Sequence, residues 1–294
     1  MSSKRNIRLT VIDVAVLLLV VAGVLFFFLR VKQVLDYHWD WPAIVPFFFY
    51  IDPATGSIHA NILIQGFLTT IKLSIWSTLL GFLLGTFSGI MGARGNFGQR
   101  LLSRTYVEII RNIPSLVLVI IFYYFVSSQF LDALNLDIWL RNGSEYIRNS
   151  VEFAFAGPEQ INAFVSAVIA LGIYEGAYVS EIVRGGINSI SRGQWEACRS
   201  IGLSGFQSFR LVILPQAFRK VAFPMAGQFI STIKDSAIVS VISIQELTFQ
   251  GMELMASTFL VFEIWITITL LYFVLTFSCS RAISVFEKKM ALKQ

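Results

Sequence analysis

The chain has 294 residues, 55% of them hydrophobic and only 14% charged. A soluble domain carries about 25% charged residues, so a water-soluble globular chain is excluded and lipid is part of the solvent here, as the 27 phenylalanines also indicate. The formal charge of +5 is read as basic cytoplasmic loops rather than as nucleic-acid contact.

Lys4, Arg5 and Arg8 precede VIDVAVLLLVVAGVLFFFLR. That apolar run is longer than the about 7–15 residues of a signal peptide, and Arg30 and Lys32 follow it where a small-residue cleavage site would stand. It is read as a retained membrane helix. About 20 apolar residues cross a bilayer, and on that measure six spans are expected: roughly 11–30, 64–92, 106–128, 161–183, 222–245 and 258–283. The fold class is therefore all-α, a polytopic membrane helical bundle.

With the N-terminus placed inside, 18 of the 23 Lys and Arg residues fall in inside segments, Arg30, Lys32, Arg141 and Arg148 fall outside, and Lys72 falls within the second span. This bias puts both termini in the cytoplasm. The second span carries Ser77, Gly81, Gly85 and Gly89, each four apart and hence on one helix face. Such a row predicts close contact with another helix.

Between spans four and five lies SRGQWEACRSIGLSGFQSFRLVILPQAFRK, residues 191–220. Ser191 with Gln194 and Ser204 with Gln207 have capping-box spacing, Gly202 suits a left-handed stop, and Pro215 is expected to break or kink the helix that follows. The segment reads as helix, sharp turn, helix. Its apolar residues, Trp195, Ala197, Ile201, Leu203, Phe206 and Phe209, suit either a cytoplasmic protein partner or the bilayer surface.

Ionisable residues inside a membrane are functional candidates. Glu175, in mid-span, is a candidate contact for a substrate ammonium group, with an interhelical hydrogen bond as its plainer role. Lys234 and Asp235 are candidates for the same pathway. Glu181 and Arg184, three apart, are expected to form a local ion pair. No metal, cofactor or catalytic site is expected. Cys198 and Cys279 lie in no CxxC pair, His38 and His59 are read as ordinary polar residues, and no nucleophile, base and orienting group cluster together. GxxxxGK[ST], the phosphate-binding loop, is not present, so ATP hydrolysis is not expected of this chain.

Glu196-Ala197-Cys198, then Gly202, then Val212, Leu214 and Pro215 resemble the EAA loop of ABC-importer permeases: EAA, three residues, Gly, nine residues, I-x-L-P. Cys198 and Val212 depart from Ala and Ile in that pattern. GFLTTIKLS (66–74), YVEIIRNIP (106–114), AYVSEIVRGGINSISRGQWEA (177–197) and KDSAIVSVISIQEL (234–247) resemble segments of the polar amino acid branch, the histidine, glutamine and glutamate permeases. Asn112-Ile113 and Ala237-Ile238 depart from its commoner residues.

The resemblance implies a type I ABC-importer permease fold, with residues 1–60 as an extra helix and outer segment. Residues 61–285 would be the permease core, with the coupling loop at 186–218, and 286–294 a cytoplasmic tail. It implies a subunit of the bacterial cytoplasmic (inner) membrane, with lipid around it. A dimer of ATPase subunits would dock through Glu196, Ala197, Cys198, Gly202, Leu214 and Pro215. A second permease subunit, identical or related, would pair with it, and an extracytoplasmic amino-acid-binding protein would deliver cargo. On that docking, the Cys198 thiol is expected to react more slowly when the ATPase is bound. A permease of this fold for another small solute, and a membrane scaffold or sensor that docks a partner without transport, are the competing expectations. Internal repeats, the mark of many secondary transporters, are not apparent.

Overall fold

A computed structural model describes residues 11–34, 37–54 and 56–291. The basic cluster of Lys4, Arg5 and Arg8 and the last three residues of the expected tail lie outside the described residues. The chain divides after Trp41 into two units.

The first unit contains α1 (Val11–Val34), 24 residues with no charged residue between Asp13 and Arg30. Beyond it the Trp39 and Trp41 rings stack with centroids 5.7 Å apart.

The second unit opens with a 3₁₀ turn (Pro42–Phe47) and a short antiparallel hairpin, β1 (Phe49–Ile51) and β2 (Ile58–Ala60), in which Tyr50 faces His59. Asn61 then starts α2 (Ile62–Arg94), whose N–H at Ile62 donates to the Asn61 side chain. Helices α3 (Phe97–Asn112), α4 (Ser115–Phe122), α5 (Leu136–Asn142), α6 (Glu145–Ala154), α7 (Ile161–Asn188), α8 (Arg192–Ser200), α9 (Gly205–Ser208), α10 (Leu214–Asp235), α11 (Leu247–Thr258) and α12 (Val261–Ala291) follow. The helical bundle expected from sequence is what folds.

The core is the α2–α7 pair. Ser77, Gly81, Gly85 and Gly89 are all buried, and the three glycines touch the α7 backbone. A Cβ added at Gly81 would lie 3.2 Å from the Gly172 carbonyl oxygen. One at Gly85 would lie 2.5 Å from that of Gly176, and one at Gly89 2.6 Å from that of Ser180. With no hydrophobic drive between helices in lipid, such close approach is what holds them. A hydroxyl cluster adds to it. Ser103 Oγ of α3 donates to the Ser88 carbonyl at 2.8 Å, and Ser180 Oγ of α7 to Ser88 Oγ at 2.9 Å. Tyr106 Oη of α3 donates to the Ile173 carbonyl at 2.7 Å. Leu73, Phe164, Leu171 and Val239 fill the space around α7, and Leu63, Leu247, Leu254 and Ile264 join α2, α11 and α12.

Among the described residues three helices, α2, α7 and α12, are each long and apolar enough to span a bilayer, and the α3–α4 pair adds a bent one. The single span expected at 106–128 is instead broken, its arms bent by 107°. Pro114 lacks an N–H and forces the residue before it out of the helical region. Ile113 accordingly sits at φ −90°, ψ 132°. The span expected at 222–245 is displaced toward the loop: its helix is α10, about 33 Å long, followed by a 3₁₀ turn (Ser236–Ile242) and by Ser243 at φ 59°. The tail expected from residue 286 begins as a continuation of α12 through Ala291.

Residues between α4 and α7 fold against α2. Lys72 Nζ donates to the Glu152 carbonyl at 2.7 Å and Trp76 Nε1 to the Ala154 carbonyl at 2.8 Å. A cation placed inside the second span by sequence is thus satisfied by a helix end.

Candidate functional site

The loop between α7 and α10 is a rigid, seated element. Helix α8 ends in a Schellman turn: Leu203 N–H donates to the Cys198 carbonyl and Gly202 N–H to that of Arg199, both at 3.0 Å. Gly202 has φ +80°, the left-handed region that costs a side chain. The Ser204–Gln207 capping box forms, at 2.9 and 3.3 Å. The Ser191–Gln194 box does not: Ser191 makes no side-chain cap, the Gln194 N–H donating to the Ser191 carbonyl at 3.1 Å, and Gln194 Oε1 accepts from Gln216 Nε2 at 3.0 Å.

Pro215 does not break the chain. It stands exposed in the first turn of α10, and the turn before it, Phe209–Ile213, is widened to π geometry. The missing N–H and the ring's crowding of the preceding turn are absorbed by that widening.

Three contacts seat the loop. The Arg94 guanidinium, at the end of α2, lies 4.0 Å above the Trp195 ring. Lys220 Nζ donates to the Ser189 carbonyl at 2.9 Å. Ile213 and Ala217 pack among Val183, Ile187 and Ile190. Of the residues expected to couple to a partner, Glu196, Ala197, Gly202 and Pro215 are exposed and Leu214 is half-buried. Ile201 and Phe206 stand out at 74% and 71% exposure. Glu196 forms no ion pair among the described residues. Cys198 departs from expectation. It is 3% exposed, buried on α8 while its neighbours Glu196 and Ala197 are exposed. The thiol is therefore expected to react with a maleimide at least about tenfold more slowly than a cysteine placed at Ala197, with or without a bound ATPase. A rate that falls only on ATPase binding would contradict this.

The second polar centre lies midway along α7. Glu175 of α7 is 1% exposed. Its Oε2 accepts from Gln228 Nε2 of α10 at 2.6 Å, and the Asp235 carboxyl and Thr232 hydroxyl lie beside it. The Tyr174 and Tyr178 hydroxyls, 3.2 Å apart, complete the group, with the Arg111 guanidinium 5.2 Å above the Tyr178 ring. Two of the three pathway candidates, Glu175 and Asp235, are thus brought together. Lys234, next to Asp235 in the chain, is exposed. Glu181 and Arg184 form the expected ion pair, at 2.6 and 2.9 Å, and so are held to one another.

Glu246 went unread in the sequence. It is 0% exposed and caps α11, its carboxylate accepting from Thr248 N, Phe249 N and Tyr272 Oη at 2.8–2.9 Å. Thr70 Oγ1 accepts from Leu247 N at 3.1 Å beside it. The available signal was an acid directly before an apolar helix, where the helix N-terminus favours a negative charge.

The family model for the inner membrane component of binding-protein-dependent transport systems matches residues 77–292. The glutamine transport system permease protein GlnP of Escherichia coli (strain K12) is 29% identical over 87% of this chain and 99% of its own length. The glutamate/aspartate import permease protein GltJ of the same strain is 30% identical over 86% and 96%. Among solved structures, that of an amino acid ABC transporter with histidines is 30% identical, with a TM-score of 0.65 over 86% of this chain and 100% of that one. The fold, the seated loop and these matches together place the chain in the family of inner membrane components of binding-protein-dependent transport systems.

Proposed function

We propose that this chain forms the translocation pathway of an ATP-binding-cassette importer for polar amino acids. The observation that carries the reading is the coupling loop. It is anchored on α2, α7 and α10, yet presents Glu196, Ala197, Ile201, Gly202 and Phe206 outward. A connection that served only to join two spans would need no apolar residues facing out from a rigid turn. The names of the relatives, glutamine and glutamate/aspartate permeases, favour amino acids as cargo.

In this reading a pair of ATPase subunits grips α8 and the Gly202 turn, one on each of two permease chains, identical or related. Residues 61–285 are the permease core, 186–218 its coupling loop and 286–294 the cytoplasmic tail. Both termini face the cytoplasm, and lipid surrounds α12. A binding protein for amino acids delivers cargo at the opposite end of α2. Closure of the ATPase pair moves α8, and the seating contacts carry that motion into α2 and α10. Those helices flank Glu175, so the two openings of the pathway can alternate.

Glu175 and Asp235 would meet the ammonium group of the cargo in transit, two carboxyl groups suiting one cation. Glu175→Gln keeps an oxygen for Gln228 and so keeps the fold. It is expected to lower ATP-dependent uptake at least about tenfold, in line with the loss of a buried charge contact. Unchanged uptake and unchanged substrate-stimulated ATPase activity would remove Glu175 from the pathway. The function itself is tested by reconstituting the chain with its ATPase and binding protein and measuring ATP-dependent uptake over a panel of amino acids. Uptake of a polar amino acid supports the reading. Uptake of none of the panel, or no ATPase partner at all, overturns it.

A further inference from the structure

A polar cavity of about 670 Å³ opens at the end of α2 opposite the coupling loop. From Lys72, on its wall, to Arg94, over Trp195, α2 runs 22 residues, or about 33 Å. The cavity and the ATPase-facing loop are thus separated by about the thickness of a bilayer. Its walls are α2, Arg141 of α5, the end of α6 with the segment joining it to α7, and the start of α11 with the stretch leading into it.

Four of its lining residues are charged: Lys72, Arg141, Glu152 and Glu159. Two are cations and two are anions, so the formal charge of the lining is zero. Amides supply most of the remaining polarity, among them Gln65, Gln245 and the buried Gln250. The wall is fixed before any ligand arrives. Lys72 and Trp76 hold the end of α6 by the two hydrogen bonds to Glu152 and Ala154, and the Trp76 and Phe155 rings stack with centroids 4.4 Å apart. Such preorganisation reduces the ordering cost of binding.

We propose that this cavity is a receiving site for a free zwitterionic amino acid with a neutral polar side chain. The proposal rests on the reading of the chain as an amino acid permease and narrows its cargo. The size lies within the about 300–1,000 Å³ of small-molecule sites, and a concave polar chamber suits a small solute better than the broad face of a docked protein. A zwitterion carries one charge of each sign, and the lining offers both in equal number. Arg141 and Lys72 face its carboxylate, Glu159 and Glu152 its ammonium group. The glutamine amides pair with a side-chain amide or hydroxyl. A dicarboxylic cargo would call for a surplus of cations in the lining, and a basic cargo for a surplus of anions.

The test uses the full chain in lipid nanodiscs and equilibrium binding of radiolabelled L-glutamine, with L-glutamate, L-arginine and L-glutaminamide as competitors. Arg141 and Glu159 are exposed, so Arg141→Gln and Glu159→Gln leave the fold intact. The expected result is saturable glutamine binding, with glutamate and arginine at least about tenfold weaker and each substitution costing at least about tenfold. Arg141→Gln should also abolish the preference for glutamine over glutaminamide, which a purely structural role would not do. The proposal is overturned by the absence of saturable binding, by tighter binding of glutamate or arginine, or by affinities that neither substitution changes. It is equally overturned if the substitutions weaken association with the binding protein and leave free glutamine binding unchanged, which would make the cavity a docking surface. Any of these results alongside sustained ATP-dependent uptake of an amino acid removes the cavity proposal alone. Uptake of no amino acid removes the function on which it rests.

Discussion

Gly85→Val is expected to eliminate the folded permease from the membrane. The added Cβ would fall 2.5 Å from the Gly176 carbonyl oxygen and 2.5 Å from Val179 Cβ. The first of these is backbone of a buried helix and cannot rotate aside. Relief requires α2 and α7 to separate, and separation breaks more than one contact. The Gly81 and Gly89 approaches open with it, as does the hydrogen bond from Ser180 to Ser88. Overpacking a tight site costs about 1–3 kcal/mol and occasionally more, and a cost of at least about 3 kcal/mol is expected here. Gly185→Ala is the control. It lies on the same α7 helix with nothing within 4 Å of its added Cβ, and is expected to be neutral or slightly stabilising. The measurements are membrane abundance and the thermal midpoint of the purified chain. A Gly85→Val protein as abundant and as stable as the Gly185→Ala protein would show that α2 and α7 do not pack as described.

That small-residue row was legible because packing in lipid leaves a periodic mark: four small residues at spacing four can serve few other purposes. The turn at Gly202 and the Ser204 cap were legible for a similar reason, being local geometry set by a few neighbouring residues. The misread places share a different physics. At Pro114 the apolar run continues on both sides, so hydropathy joined what the missing N–H divides. Pro215 was read from its ring alone, and the π widening of the turn before it depends on a backbone adjustment that no residue type announces. Ser191 has the same spacing to Gln194 as Ser204 to Gln207. The Gln194 side chain pairs with Gln216, 22 residues away. Cys198 and Trp195 looked like partner-facing residues because an amphipathic helix outside the bilayer has two candidate faces, and only the tertiary packing selects one. Glu175 was visible as a charge in a span, but its neighbour Asp235 arrives from a helix whose start and end were both misplaced. Glu246 lies one residue beyond an expected span, and hydropathy does not mark a residue there as buried.

Gly202→Asp is expected to leave the permease assembled and to uncouple it. Two effects are separable at this position. One is backbone strain: at φ +80° an alanine would cost about 1–2 kcal/mol, whereas Asn and Asp tolerate the left-handed region. The other is bulk and charge on an outward surface. Among the described residues, and chain neighbours aside, nothing lies within 4 Å of a Cβ at Gly202, so a side chain there starts into open space. An effect on uptake without loss of the folded chain would therefore point to a partner. The exposed Ile201 precedes it and the exposed Phe206 follows four residues on, so a partner gripping that patch must close over the turn. Gly202→Asp and Gly202→Asn are therefore expected to reach the wild-type membrane level, with uptake reduced at least about tenfold and stimulation of the partner ATPase lost. Truncating a central interface contact commonly costs about 2 kcal/mol or more, which is enough for that reduction. Gly202→Ala separates the two effects by testing strain with little bulk, and is expected to lower thermal stability more than uptake. Normal uptake with normal ATPase stimulation in Gly202→Asp would show that the turn is not gripped, and docking would then have to be sought on another face of the cytoplasmic surface.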